Sequence, residues 1–233
     1  MEPVLFYGVP QGCSFGSIVA LEWLGAPYRL CRVEMPGEVQ GPAFARINPV
    51  RETPALMLED GRVVTESAAL LAALAARDPG HRLGAAQGTA DFDRLNQAMS
   101  YLTTTYFAAF SPLWTAFEMA EDPPVQAMLR RLGREQVAKA HGQLDAMLEG
   151  RDWLAGDRRT VADAYVAGIV RWAAYHDVGD LAAHPRLAAF VARLEADPAV
   201  AFARAIEAGE EPAGAGGFRG HVALADLVPR LAA

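Results

Sequence analysis

Apolar and polar positions along this chain follow two grammars, and the change between them comes near Asp78-Pro79-Gly80. Before it, short apolar runs alternate with amphipathic ones. Val4-Leu5-Phe6-Tyr7 predicts a β-strand stopped by Gly8 and Pro10. Ser14 stands where it can cap a helix whose apolar residues Ile18, Leu21, Trp23 and Leu24 fall at helical spacing, and Gly25 ends it. Tyr28–Val33 predicts a second strand, and Pro42–Ile47 a short helix ahead of Asn48-Pro49. Ala55–Glu59 and Arg62–Thr65 predict two further strands joined by a two-residue Asp60-Gly61 loop, a strong hairpin signal. Pro54 precedes the first of these, where it removes no central ladder bond. The Ala/Leu-rich run Ala68–Ala76 then predicts a helix that Ser67 opens. The order is β-α-β-α-β-β-α, and its βαβ start marks a parallel sheet.

The second grammar is helical. Turn residues from Asp78 to Gly88 predict a linker, and strand signals nearly vanish after Thr89. Phe92, Leu95, Met99, Leu102, Phe107 and Phe110 recur at steps of three to five residues, which predicts one long amphipathic helix. Pro123-Pro124 starts a second, with Val125, Met128, Leu129, Leu132, Val137, Leu144 and Leu148 along it and Gly150 just past its end. A third runs from about Thr160 to Tyr175, and two shorter ones cover His184–Glu195 and Pro198–Ile206. Thr160 with Asp163 forms an acidic variant of the capping box, a device that contributes roughly 0.5–2 kcal/mol. Glu210–Gly217 predicts irregular chain, and Val222–Leu231 is apolar enough to pack on the helical part or on a partner subunit. The expected division is residues 1–79, a linker at 80–90, an all-helical unit at 91–210 and a C-terminal extension at 211–233.

Composition narrows the function. With 233 residues the chain is long enough for one large or two small domains. Apolar residues make up 52%, yet no stretch nears the roughly 18 consecutive apolar residues that a spanning helix needs, so no membrane is expected. The N-terminus lacks the basic and long apolar regions of a signal peptide. Cys13 and Cys31 form neither a metal spacing nor a disulfide framework, which fits a reducing cytoplasm. A net charge of −7 argues against nucleic acid as a partner. His81, His141, His176, His184 and His221 show no ligand pairing, imply no metal, and read as surface or capping residues.

The densest chemical signal is Thr53 to Ser67. Glu66-Ser67 falls at a helix N-terminus, where unpaired N–H groups and the dipole favour a carboxylate. With Asn48-Pro49 upstream, this stretch resembles the glutathione-binding half of cytosolic glutathione transferases. The string Leu154-Ala155-Gly156-Asp157, then Thr160, Ala162, Asp163 and Ala164, is similar to the start of that family's core helix in its second domain. The resemblance covers roughly residues 3–206. It implies a thioredoxin-like α/β domain followed by an all-helical domain, and a homodimer. It also implies that Pro54 is cis, that Thr53 pairs its backbone with the cysteinyl part of glutathione, and that Glu66 and Ser67 receive the γ-glutamyl carboxylate.

The implied reaction is attack of the glutathione thiolate on a hydrophobic electrophile. Since a free thiol has a pKa of about 8.5, the protein must help it ionise. Tyr7, Cys13 and Ser14 lie where that help is needed. Gly12-Cys13-Ser14 resembles the bacterial beta class, in which Cys13 would match the active-site cysteine, able to form a mixed disulfide with glutathione. A helix N-terminus depresses a cysteine pKa, although a lone free cysteine is also a common packing residue. Ser14 is either a neighbouring hydroxyl or a cap, and Tyr7 a strand residue near the site.

The chain departs from the beta pattern in three places. The loop from Tyr7 to Cys13 is one residue longer. Matching Phe110-Ser111-Pro112-Leu113 to the class's Phe-x-Pro-Leu string puts Phe107 where an assisting histidine stands. Arg51 replaces the usual glycine and either lends charge to the site or faces water. Tyr106, Phe107, Phe110 and Trp114, with Tyr101 and Thr104, form an aromatic-rich stripe that serves as electrophile pocket or as core. Two other readings compete: a glutathione-dependent reductase or lyase acting through Cys13, and a non-catalytic interaction module.

Overall fold

A computed structural model describes residues 2–78, 80–118 and 122–227. Strand β1 (Val4–Val9) pairs in parallel with β2 (Tyr28–Glu34) and antiparallel with β3 (Ala55–Met57), which pairs antiparallel with β4 (Val63–Thr65). The register sets Phe6 opposite Cys31 on one side and Ala55 on the other. β1 runs through Gly8 to Val9, past the expected stop. The hairpin loop also differs: Leu58 N–H bonds to Arg62 O and Gly61 N–H to Leu58 O, so Glu59, Asp60 and Gly61 all belong to the turn. Gly61, at φ +84°, supplies the left-handed position of this three-residue loop.

Period-two alternation in β1 divides the core. Leu5 and Tyr7 face helix α1 (Phe15–Leu24) and helix α3 (Ser67–Ala76), while Val4 and Phe6 face the short helix α2 (Pro42–Ala45). Cys31 lies in this second layer, fully buried, and burial pushes its thiol up to about 12. It is a packing residue.

The expected long helix after Thr89 is broken. Helix α4 (Ala90–Tyr101) passes into a π-helical turn over Leu102–Tyr106, then a 3₁₀ turn over Ala108–Phe110, before α5 (Ser111–Glu118). Phe107 N–H bonds to Leu102 O, so the five-residue apolar step from Leu102 to Phe107 is the π-turn itself. Helix α6 (Pro123–Met147) starts as expected, but Met128 and Leu132 are exposed, not core. The third helix is interrupted: α7 (Val161–Ile169) gives way to α8 (Trp172–Tyr175). α9 (Pro185–Glu195) and α10 (Pro198–Glu207) follow.

Helix α1 crosses α7 closely. A Cβ on Gly16 would come within 2.4 Å of Ala164 O, so only glycine permits this approach of the two backbones. The crossing brings the start of α1, with Cys13 just ahead of it, beside Tyr165 of α7.

The tail holds a strand that the sequence reading missed. β5 (Phe218–His221) pairs in parallel with β2, making a five-stranded sheet in the order β4-β3-β1-β2-β5. Residues 210–217 are irregular yet pinned: buried Glu22 accepts from Ala215 N–H at 2.6 Å, and Tyr28 N–H donates to Gly217 O at 3.0 Å. Past β5, helix α11 (Leu224–Leu227) buries Leu224 and Leu227 against Phe44 and Cys31. This part of Val222–Leu231 therefore packs on the sheet, where the helical unit or a partner subunit was expected, and residues 228–231 lie outside the described residues, as does Pro79. Of the histidines, His141 and His176 are buried, so these two are not surface or capping residues; His221 is exposed on β5 and bonds to Tyr7.

Candidate active site

A cavity of about 450 Å³ opens between the two halves of the chain, lined by Cys13, Asn48, Glu52, Thr53, Pro54, Glu66, Ser67, Ala68, Thr103, Phe107 and Tyr165. Four segments meet there: the loop before α1, the turn before β3, the start of α3, and the α7 and π-turn face of the helical half.

The Thr53–Pro54 peptide is cis. Cys13 Sγ donates to Thr53 O at 3.2 Å, so the thiol sits directly on this turn. Asn48 shapes the approach, donating from Nδ2 to Glu52 O at 2.7 Å and accepting from Val50 N–H at 3.1 Å. On the opposite wall, Glu66 takes φ +66° at the N-cap of α3 and makes no side-chain cap bond. The first backbone bond of the helix runs from Leu70 N–H to Glu66 O at 2.8 Å. The N–H groups of Ser67, Ala68 and Ala69 therefore stand ahead of the helical ladder, and two of those residues line the cavity.

Electrostatics correct one expectation. Burial pushes the Cys13 thiol above its ordinary value, the Ser67 hydroxyl beside it pulls the other way, and the Glu52 charge raises it further. The helix-end depression does not win. At neutral pH Cys13 is a neutral S–H donor. Glu52 is itself raised by desolvation and by the charge of Glu66.

The structure brings Cys13, Thr53, Pro54, Glu66, Ser67 and Phe107 together around the cavity. It does not bring the other sequence candidates there. The Tyr7 hydroxyl is hydrogen-bonded to His221 Nε2 at 3.0 Å, on the β5 side of the sheet. Ser14 makes no cap bond; its buried Oγ accepts from Gly8 N–H at 3.1 Å and ties the loop to β1. Arg51, at φ +60°, is exposed and off the cavity wall. Tyr106 and Phe110 are fully buried. Phe107, Phe110 and Trp114 gather edge-on around Trp172, with ring centres 5.2, 5.6 and 5.3 Å away. Of the aromatic stripe only Phe107 reaches the cavity.

Glu52, Thr103 and Tyr165 line the cavity without having been anticipated. Tyr165 had a signal, being the polar-tipped residue in the apolar run Val161–Ile169 that the capping box opens. Thr103 had none: its side-chain direction depends on the π-turn, and its hydroxyl donates to Met99 O at 3.0 Å. Among the described residues no three or more His, Cys, Asp or Glu gather as a metal requires, and no helix is long and apolar enough to cross a membrane.

The family model for the glutathione S-transferase N-terminal domain matches residues 13–77, and that for the C-terminal domain matches residues 97–198. A glutathione S-transferase, GST-4.5 of Xanthomonas campestris pv. campestris, is 30% identical over 192 residues, which is 82% of this chain and 92% of the relative. A sphingomonad glutathione S-transferase solved as a complex with glutathione has a TM-score of 0.77 at 32% identity, covering 88% of this chain and 98% of its own. The enzyme from Xylella fastidiosa superposes with a TM-score of 0.81 at 27% identity, covering 90% and 100%. The chain belongs to the glutathione S-transferase family, with the thioredoxin-like and helical domains that define it.

Proposed function

We propose that the cavity binds glutathione extended along Thr53-Pro54 and directs its sulfur at a hydrophobic electrophile. One observation carries this reading: a thiol, a cis X-Pro backbone and an uncapped helix N-terminus converge on one cavity. The γ-glutamyl carboxylate is placed at the Ser67 and Ala68 N–H groups, and its ammonium at the Glu66 carboxylate. Thr53 supplies the backbone partner for the cysteinyl unit. Cys13, protonated in the free protein, acts as the S–H donor that stabilises the glutathione thiolate, since a neutral donor favours the charged form of its acceptor. Ser14 supports the loop from behind. Phe107 and Thr103 border the electrophile's side, where an apolar wall suits an aromatic or alkyl halide.

The open start of α3 gives a non-catalytic module no evident use, and a thiol held neutral by burial is a poor starting point for reduction through Cys13. The reading takes the protein as a cytoplasmic homodimer, in keeping with free Cys13 and Cys31, and keeps the division at 1–79, 80–90, 91–210 and 211–233. Retention on immobilised glutathione, with conjugation of a generic aryl halide, is the direct test. Cys13→Ala should still be retained but conjugate more slowly. A parent protein that is neither retained nor active would overturn the reading.

A further inference from the structure

The helical half reaches across to the loop that carries Cys13. Arg171, between α7 and α8, donates from Nη2 to Gly12 O at 2.8 Å and from Nη1 to Gln11 Oε1 at 2.9 Å. Its neighbour Trp172 donates from Nε1 to Gln11 O at 3.0 Å. Both peptide carbonyls just ahead of Cys13 are thus held from the other half of the molecule. The loop needs holding. Gln11 has φ +55°, a left-handed conformation that residues with a side chain seldom adopt. A Cβ on Gly12 would come within 2.2 Å of Gly8 O, so the turn is as tight as a backbone allows.

Arg171 is itself fixed on every side. Nε donates to Gly168 O at 3.0 Å, and the two terminal nitrogens grip both oxygens of Glu207 at 2.7 and 2.8 Å. The guanidinium lies 4.3 Å over the Phe15 ring. Arg32 of β2 donates to Glu207 O at 3.2 Å, anchoring the carboxylate's own residue. Each side chain of the Arg171–Glu207 pair is only 13% exposed, and a pair so buried holds a fixed geometry only when its remaining donors are satisfied, as they are here.

We propose that Arg171 and Trp172 are positioning residues for the sulfur subsite, holding the Gln11 and Gly12 peptides so that the Cys13 thiol is seated against Thr53 O. Neither lines the cavity, so neither touches glutathione. The proposal rests on the assignment of Cys13 to that subsite. The charged and polar groups facing the thiol are Glu52, Arg171, the Ser67 hydroxyl and Tyr165, so informative variants must leave net charge unchanged. Arg171→Lys keeps the cation and loses the fork; Trp172→Phe keeps the ring and loses the N–H.

The experiment is iodoacetamide labelling of Cys13 across pH, beside steady-state conjugation of an aryl halide, on both variants. Freed from the Thr53 carbonyl and partly resolvated, the thiol should label about fivefold faster at pH 7 in each. kcat should fall about tenfold, with the KM for glutathione changed less than about twofold, because a misplaced group costs rate more than binding. Labelling and kcat both at parental values in a folded variant overturn the proposal, as does a lowered Tm with an unchanged labelling profile. If Arg171→Lys fails to fold, Trp172→Phe decides alone. Glutathione protection of Cys13 in the parent is measured alongside. Absence of protection removes the subsite assignment, whereas parental labelling in the variants removes only the positioning role.

Discussion

The Cys13 thiol donates to the carbonyl oxygen of Thr53 at 3.2 Å, across the cis bond to Pro54. That contact joins a residue from the loop before α1 to one from the turn before β3, at a place where burial keeps the thiol protonated.

Because burial holds this thiol above its ordinary value, its alkylation should be slow at pH 7 and rise through a midpoint higher than that of free cysteine. Below the midpoint the rate falls about tenfold per pH unit, since only the thiolate reacts. Cys31, buried and pushed up to about 12, should stay silent, so one label reads Cys13 alone. A midpoint below that of free cysteine, measured by mass spectrometry of the labelled protein, would show that the helix end governs the thiol after all.

Glu66 is assigned to the γ-glutamyl ammonium and not to the sulfur. Glu66→Gln should raise the KM for glutathione about tenfold, equal to about 1.4 kcal/mol, and leave kcat close to the parent's. Glutathione titrations by initial rate check this. An equal fall in kcat would move Glu66 to the reacting centre.

Asp163 serves the fold. Its buried carboxylate accepts from Thr160 N–H at 2.7 Å, Leu154 N–H at 2.9 Å and the Thr160 hydroxyl at 2.9 Å. Asp163→Ala removes the cap of α7 and leaves two buried N–H groups without partners, for a loss of about 3 kcal/mol. Urea unfolding should show this as a lower midpoint at unchanged slope. The variant should still bind glutathione where it remains folded, because Asp163 lies off the cavity wall.

Acid stability should depend on His141. The ring is fully buried, neither nitrogen has a partner, and burial lowers it to about 4 from an ordinary 6.5. The folded value is depressed, so its contribution is whole above pH 6.5 and is lost as pH falls toward 4. Between pH 7 and pH 4.5 the parent should lose roughly 2 kcal/mol more than His141→Leu. Asp163, raised to about 6, has the opposite slope in both proteins, so the difference between them isolates His141. Parallel stability curves would contradict the assignment.

Features with a local cause were readable in the amino-acid order. The hairpin follows from Asp60-Gly61, the cap of α7 from Thr160 and Asp163, and the open end of α3 from Glu66-Ser67 after a short strand. Features made by distant partners were not. The same apolar spacing that marks Tyr106 and Phe110 suits a pocket or a core, and distant partners make it core: His141 beside Tyr106 and Trp172 beside Phe110. Tyr7 alternates with Phe6 in either case, but where its hydroxyl ends depends on His221, at the far end of the chain. β5 was illegible because Phe218–His221 is four residues long, contains Gly220 at φ +88°, and takes its shape from the waiting edge of β2.

That last strand bears on how the molecule is made. β1 to β4 can associate once the hairpin has been synthesised, but β2 keeps a bare flank of N–H and C=O groups until every helix of the second domain has been translated. During that interval the nascent sheet offers other chains the docking line that its own tail is destined to fill. Crowded expression should therefore expose this protein to mispairing more than a version in which the same four residues arrive early.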